Sequence, residues 1–274
     1  MRDQARVVVI GGGITGTSIA YHLAKLGVRD VVLVEKGELT SGTTFHSVGL
    51  VSQFRTSPAD MRLMSYSIQL YDAIRAEVGA ASGWMRVGSL RLASSSDTLM
   101  ALRRNVSRAR ALGLAVEIIS PAEALRVFPS MSGEHLYGAV HIPDDGYLEP
   151  NGITTQLARL ARAHGAEIQT DTRVTAIELG GRRRVRAVVT ERGTIRTECV
   201  VNAAGQWAPR IARMAGVSLP IVPLMHQYLT TKPIPGHELA KTTPVVRDPD
   251  NLVSPPRSAP PRSSTRRASG SAGS

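Results

Sequence analysis

The first 35 residues carry the clearest hydrophobic pattern of the chain. Arg6–Ile10 is a short β-branched run that ends in glycines, as is typical of a buried parallel strand. Ile14–Leu26 places its apolar residues along one stripe of a helix, and Gly27 ends that helix. Val31–Val34 is a second buried run. Together these segments predict a strand–helix–strand crossover unit, which is almost always right-handed.

The remaining pattern predicts a mixture of helices and strands. Residues 37 to 57 are rich in Gly, Ser and Thr and predict a long loop with one helical turn, and Gly180-Gly181 predicts a hairpin turn. The predicted helices are Ser57–Gly79, Ser96–Leu112 and Pro150–His164, and Ser120-Pro-Ala-Glu predicts a capping box at the start of a further helix. The predicted strands are Val87–Ala93, Val116–Ile119, Tyr137–Ile142, Ile168–Thr170, Val174–Leu179, Val185–Thr190, Thr194–Thr197, Val200–Ala203 and Ile221–Thr231.

Composition narrows the class of protein. With 274 residues, 42% of them hydrophobic, the chain can bury a core as one large domain or two small ones. Cys199 is the only cysteine, and no apolar run reaches membrane-spanning length or forms a secretory signal, so we expect a cytoplasmic protein without a membrane partner. The net charge of +11 comes from scattered arginines, and aromatics make up only 4% of the chain. Scattered charge and few aromatics argue against a basic nucleic-acid-binding face, so no nucleic-acid partner is expected.

The turn after the first strand contains the motif GxGxxG. Gly11 permits the tight turn, Gly13 lets the backbone approach a pyrophosphate, and Gly16 lets the helix pack closely on the strand. Glu35 ends the second strand, and its carboxylate can accept hydrogen bonds from both ribose hydroxyls. A glycine-rich structural turn is the alternative, but the strand, helix and acid around the motif favour a dinucleotide site.

The later sequence favours FAD over NAD as the dinucleotide. A nicotinamide dehydrogenase usually continues with alternating strands and helices. This chain instead enters the Ser/Thr/Gly loop and returns much later with a hairpin and a second glycine-terminated strand, Val200–Gly205. Such an interrupted arrangement suits an extended dinucleotide that crosses the domain.

Several segments resemble the D-amino-acid-oxidase-type flavoproteins, and among them most closely the dimethylglycine/sarcosine dehydrogenase group. They are the glycine motif, Glu35-Lys36, the loop from Thr40 to Leu50, Pro143-Asp144-Asp145-Gly146, Asn202–Trp207 and Pro223–Tyr228. The resemblance covers residues 5 to 250. It implies an α/β fold in which a Rossmann-like FAD-binding domain (about residues 1–80 and 150–215) is interrupted by an antiparallel-sheet substrate domain (about 81–149 and 216–252).

The resemblance also implies roles for individual residues. Ile14 and Thr15 match contacts to the pyrophosphate, and Glu35 and Lys36 match the ribose end of FAD. The loop residues that match contacts to the pyrophosphate and the isoalloxazine are Gly42, Thr43, Thr44, Gly49 and Leu50. Val174 matches a residue at the adenine, and Gly205 and Trp207 match residues beside the cofactor. For Val174 and Trp207, ordinary core packing is the alternative.

Two histidines stand out within this resemblance. His46 occupies the position of the histidine that group members link covalently to the flavin, while an ordinary loop histidine is the alternative. His226 matches a histidine near the substrate amine and is the predicted catalytic residue, while a core histidine with satisfied hydrogen bonds is equally compatible with the pattern. No metal site is predicted.

The implied chemistry is oxidation of a secondary or tertiary amino acid, such as sarcosine or dimethylglycine. Electrons would pass either to oxygen or to an electron-transfer flavoprotein. The family pattern stops near Arg247–Leu252, where a Pro/Arg/Ser tail, residues 253–274, replaces further strands and is expected to be disordered. The resemblance therefore implies a C-terminally incomplete copy with impaired activity. The alternative function is a non-catalytic FAD-binding remnant or scaffold.

Overall fold

The structure is a computed structural model that describes residues 2–225, 232, 235 and 239–251. Its α-helices are α1 (Ile14–Lys25), α2 (Pro58–Val78), α3 (Ser96–Ala111), α4 (Pro121–Val127), α5 (Pro150–Ala163) and α6 (Ala208–Met214). Short 3₁₀ helices span Thr43–His46, Gly79–Ser82, Gly181–Arg183 and Gly205–Trp207.

Fourteen strands are found in the described residues. They are β1 (Val7–Ile10), β2 (Val31–Val34), β3 (Leu50–Val51), β4 (Met85–Arg86), β5 (Ser89–Ala93), β6 (Glu117–Ile119), β7 (Gly138–Ile142), β8 (Gly146–Tyr147), β9 (Glu167–Gln169), β10 (Val174–Leu179), β11 (Val185–Thr190), β12 (Gly193–Arg196), β13 (Cys199–Asn202) and β14 (Val245–Arg247).

A four-stranded parallel sheet forms the centre of the fold, in the order β13-β1-β2-β9. All four residues of β1 and of β2 are buried, which explains why both read as continuous apolar runs. On one face, Val7, Val9, Val31 and Leu33 pack with α1 and α5. On the other face, Val8, Ile10, Val32 and Val34 pack with the antiparallel strands β10 and β11 and with α6. The predicted crossover unit is thus present, and both its faces are covered.

A second four-stranded sheet has the order β14-β5-β7-β6. Strands β5, β7 and β6 pair antiparallel, whereas β14 pairs parallel with β5, so this sheet is mixed rather than purely antiparallel. Its faces are covered by α3 and α4, through one cluster around Leu102 and Val106 and another around Ala124 and Phe128. A small antiparallel sheet has the strand order β3-β8-β4.

Some local predictions agree with the structure and others differ from it. Ser120 and Glu123 form the predicted capping box. The predicted turn at Gly180-Gly181 includes a 3₁₀ segment, with Arg182 and Arg183 at positive φ. The strand predicted over Ile221–Thr231 is wrong for residues 221–225, which are exposed and irregular, because no neighbouring strand pairs with them in the described part of the chain. The remainder of that strand and the tail beyond residue 251 lie outside the described residues.

Candidate FAD site

The glycine motif forms the turn between β1 and α1. Gly11 has φ +120°, and a Cβ there would overlap the carbonyl of Ala203 in the turn after β13. A Cβ on Gly16 would overlap the carbonyl oxygen of Gly11, so α1 can approach β1 this closely only with glycine at both positions. These two glycines therefore bring the N-terminus of α1 against the ends of β1 and β13, at the edge where ligands bind in doubly wound sheets.

Glu35 organises this edge of the sheet. Its Oε2 accepts a 2.6 Å hydrogen bond from the backbone N–H of Gly12, and its Oε1 accepts a 3.1 Å bond from the N–H of Gly37. The side chain is half-buried and lines the cavity beside the turn. A carboxylate held by two backbone donors keeps lone pairs for ribose hydroxyls, which is the role the sequence predicts.

The loop from Gly42 to Thr44 lies over the start of α1. Thr44 Oγ1 accepts a 3.1 Å hydrogen bond from the N–H of Ile14, and a Cβ on Gly13 would come within 3.0 Å of that same oxygen. Gly13, the N-cap residue of α1, contributes no side-chain hydrogen bond to the helix. The helix N-terminus thus presents backbone donors and a hydroxyl, a combination that binds phosphate oxygens.

A cavity of about 550 Å³ opens between this turn, the loop and β10. Its volume lies within the usual range for cofactor and ligand sites, about 300–1,000 Å³. The predicted residues that line it are Gly11, Gly13, Ile14, Thr15, Glu35, Lys36, Gly42, Thr43, Thr44, Val174, Gly205 and Trp207. Residues that line it but were not singled out from the sequence include Thr172, Arg173, Arg210, Ile211 and Met214. These carry no motif, and only the packing of α6 and β10 brings them to the cavity.

Cations surround one end of the cavity. Lys36 Nζ lies 3.2 Å from the centre of the Trp207 ring, within cation–π distance. Burial, followed by the charges of Arg173 and Arg210, lowers the pKa of Lys36, while Glu35 acts in the opposite direction. This end of the cavity is therefore suited to a polyanionic ligand.

Four predicted residues do not line the cavity. Gly16 acts through the close packing of α1. Gly49 is buried and has φ +76°. A Cβ there would overlap the carbonyl of Leu148, so glycine lets the loop pack against the residue that follows β8. Leu50 belongs to β3. His46 ends the 3₁₀ helix, exposed, with its ring 5.2 Å from that of Phe45. His226 lies outside the described residues.

The described residues form neither a metal site nor a membrane span. No group of three His, Cys, Asp or Glu side chains in the described residues could hold a metal ion. Within the same residues, no helix combines the length and the apolar character needed to span a bilayer.

The sequence profile of the DAO family, described as FAD dependent oxidoreductase, matches residues 6–258. The chain belongs to this family of FAD-dependent oxidoreductases. The glycine turn, Glu35 and the cavity fit the FAD that the family name implies, since a helix N-terminus and a carboxylate both line a cavity of cofactor size.

Two of the relatives described next are dehydrogenases of the group that the motifs indicate. The chain is 43% identical over 256 residues to mitochondrial sarcosine dehydrogenase of Mus musculus, covering 92% of this chain and 28% of that protein. It is 36% identical over 248 residues to mitochondrial dimethylglycine dehydrogenase of Rattus norvegicus, covering 90% and 29%. It is also 36% identical over 252 residues to a mitochondrial pyruvate dehydrogenase phosphatase regulatory subunit of Mus musculus, covering 91% and 28%. The chain thus spans less than a third of the length of these relatives.

Solved structures agree on the fold. L-proline dehydrogenase from P. horikoshii superposes with a TM-score of 0.79 at 28% identity, over 91% of this chain and 66% of that one. The predicted α/β class with a Rossmann-like FAD-binding part is confirmed, with the second sheet mixed as described above.

Proposed function

We propose that this FAD-dependent oxidoreductase oxidises a secondary or tertiary amino acid such as sarcosine or dimethylglycine. The observation that carries the proposal is the glycine cradle with Glu35 at one end of the 550 Å³ cavity, in a chain related to sarcosine and dimethylglycine dehydrogenases. When bound, FAD would accept a hydride equivalent from the substrate carbon next to nitrogen.

The residues of this chain would bind and orient the cofactor. Backbone donors at the start of α1 and the Thr44 hydroxyl would hold the pyrophosphate, and Glu35 would hold the ribose. Lys36 would lie at the ribose end and Trp207 beside the cofactor, with Val174 packing against the adenine. His226, the predicted catalytic residue, stays a prediction.

The direct test is anaerobic reduction of the purified 274-residue protein. We expect a yellow protein whose flavin absorbance bleaches on addition of sarcosine or dimethylglycine, and does not bleach with acetate. Oxygen consumption compared with reduction of an artificial dye would then distinguish oxygen from an electron-transfer flavoprotein as the class of acceptor. A flavin that stays oxidised with every secondary and tertiary amino acid would refute the proposed reaction.

A non-catalytic FAD-binding protein is the second candidate. It is favoured by one relative, at 36% identity, whose name describes a regulatory subunit. This candidate predicts bound flavin without bleaching by any amine. The bleaching experiment therefore separates the two functions, and slow bleaching would support the prediction that this chain alone has impaired activity.

Covalent attachment of the flavin at His46 is part of the proposal. His46 follows Thr44, which lines the cavity, and its exposed imidazole is free to reach a ligand at the rim. We expect flavin absorbance to remain with acid-precipitated protein and to be released from H46A. H135A, which removes another exposed histidine, is the control and should retain the flavin. Flavin released by acid from the unsubstituted protein would exclude the bond.

The cytoplasmic location remains a prediction. The names of the relatives give a mitochondrial location for those proteins. Fractionation of cells that express the protein, followed by immunodetection, would test it.

A further inference from the structure

Lys36 lies in the wall of the cavity without an acidic partner. It follows Glu35 directly, and the other lysines of the chain are Lys25, Lys232 and Lys241. Among the residues that the structure describes, no carboxylate oxygen lies within 4.0 Å of Lys36 Nζ. The side chain is exposed, so a small molecule that enters the cavity can reach the amine.

The surroundings of Lys36 act on the charge of its amine in two directions. Burial is the largest cause that lowers the pKa of Lys36, and Arg173 and Arg210 lower it further, while Glu35 opposes them. A lysine that is partly desolvated beside other cations carries more of the neutral amine, the form that attacks carbonyl groups. The Trp207 ring, whose centre lies 3.2 Å from Nζ, favours the ammonium form instead. Both arginines and the ring line the cavity, so the same residues that shape the site set the reactivity of Lys36.

The other lysines have different surroundings. Lys25 Nζ donates a 3.0 Å hydrogen bond to the Tyr21 hydroxyl, and this bond is the largest cause that raises the pKa of Lys25. Its amine therefore stays protonated to higher pH. Lys232 and Lys241 are exposed and are not among the residues that line the cavity. Lys36 thus combines an accessible cavity, two neighbouring arginines and the absence of an acidic partner within the described chain.

We propose that Lys36 is a covalent site for small aldehydes, which it holds as an imine in the cavity that FAD would occupy. The inference rests on the proposed function, because water converts the iminium product of amine oxidation into an aldehyde and a smaller amine. The ammonium of Lys36 first loses a proton to solvent, and the neutral Nζ then attacks the aldehyde carbon. A C–N bond forms, and the carbinolamine loses water to give the imine, without an oxidant or a reductant. Aldehyde released by the enzyme would therefore compete with FAD for protein that has not yet bound it.

The test compares reductive labelling of the individual lysines by mass spectrometry. H46A protein without FAD is treated with limiting formaldehyde and cyanoborohydride at neutral pH, which fixes each imine as a methylated amine. We expect Lys36 to be labelled about fivefold faster than Lys232 or Lys241, because its lowered pKa leaves more of its amine neutral. R210Q should slow the labelling of Lys36, and W207L should speed it. R213Q removes another exposed arginine of α6 that does not line the cavity, and it should leave the rate unchanged.

FAD binding supplies a second readout. Glyoxylate followed by cyanoborohydride adds a carboxylate to a reactive lysine, so pretreated H46A protein should lose FAD affinity in a fluorescence titration. K36R keeps the charge but forms no imine, and the same pretreatment should leave its own FAD affinity unchanged. K25R is the matched control and should lose affinity as the H46A parent does. FAD added before the aldehyde should protect Lys36 from labelling.

The two readouts separate this site from the proposed function. Labelling of Lys36 no faster than that of Lys232 and Lys241 would overturn the site, as would an equal loss of FAD affinity in pretreated K36R and parent. Selective labelling of Lys36 in a protein that oxidises no amine would instead refute the proposed function and leave the aldehyde site. Amine oxidation together with unselective labelling would refute the aldehyde site alone.

Discussion

Glu35 Oε2 accepts a 2.6 Å hydrogen bond from the backbone N–H of Gly12, although 23 positions separate the two residues. The bond joins the end of β2 to the turn after β1, so one carboxylate both fixes the glycine turn and faces the cavity. The residue that would recognise the ribose is therefore also part of the scaffold that would hold the pyrophosphate.

Substitution of Glu35 should weaken FAD binding more than it weakens the fold. E35Q retains the shape but loses the charge, and a hydrogen bond to a charged group contributes about 1.5–3 kcal/mol, so we expect FAD affinity to fall about 10- to 100-fold. Fluorescence titration of apoprotein, with H46A in every sample to remove covalent attachment, measures this. E38Q changes an exposed neighbouring acid and should bind like the H46A parent. An unchanged affinity in E35Q would remove Glu35 from the cofactor site.

Gly16 should tolerate no side chain. A Cβ in G16A would overlap the carbonyl oxygen of Gly11, and the helix must shift away from the strand to relieve the overlap. Overpacking of this kind costs about 1–3 kcal/mol or more, so we expect a lower melting temperature and loss of bound flavin. G181A, where an added Cβ meets no atom within 4 Å, is the matched control. Full flavin content in G16A would show that the helix can shift away from the strand without loss of flavin binding.

Trp207 should contribute to cofactor binding through its ring face. Its ring lies over Lys36 Nζ at 3.2 Å and lines the cavity. In W207L the cation loses this partner, worth about 1 kcal/mol, so we expect FAD affinity to fall about fivefold in the H46A background. W207F keeps a ring face and should bind close to the parent. Equal weakening in W207L and W207F would mean that the indole shape matters and the ring face does not.

Asp145 should make the stability depend on pH. Burial raises its pKa in the folded protein, against hydrogen bonds from Ser52, Ser89 and Gln53 and the charge of Arg55. A carboxyl group with a raised folded-state pKa contributes stability that is fully present below the unfolded pKa of 3.8 and is lost as pH rises through the folded pKa. D145N lacks this contribution, so its free energy of unfolding relative to the unsubstituted protein should increase from pH 3.5 toward neutrality.

Urea unfolding across that range measures the pH dependence, and Glu123 supplies a control of opposite sign. Hydrogen bonds from Ser120 lower the pKa of Glu123, so its stabilising contribution is present above its unfolded pKa and disappears as pH falls. The stability of E123Q relative to the unsubstituted protein should therefore decrease with rising pH. A D145N difference that stays constant with pH would contradict the raised pKa.

The sequence by itself determined the features that depend on neighbouring positions. Short continuous apolar runs located β1 and β2, the helical pattern located α1, and the glycine spacing located the turn. Ser120 with Glu123 formed the expected cap. These predictions succeed because each of the features is decided by backbone sterics or by hydrogen bonds within a few residues. The DAO family membership followed from motifs of the same local kind.

The tertiary structure decided which distant residues meet. Lys36 and Trp207 lie 171 positions apart in sequence, yet the cation lies on the ring because α6 packs beside the parallel sheet. Arg91 and Arg247 become neighbours only through the parallel pairing of β14 with β5, where antiparallel pairing alone was expected. No local pattern encodes such contacts, because they arise when buried apolar faces pack and carry their polar neighbours along.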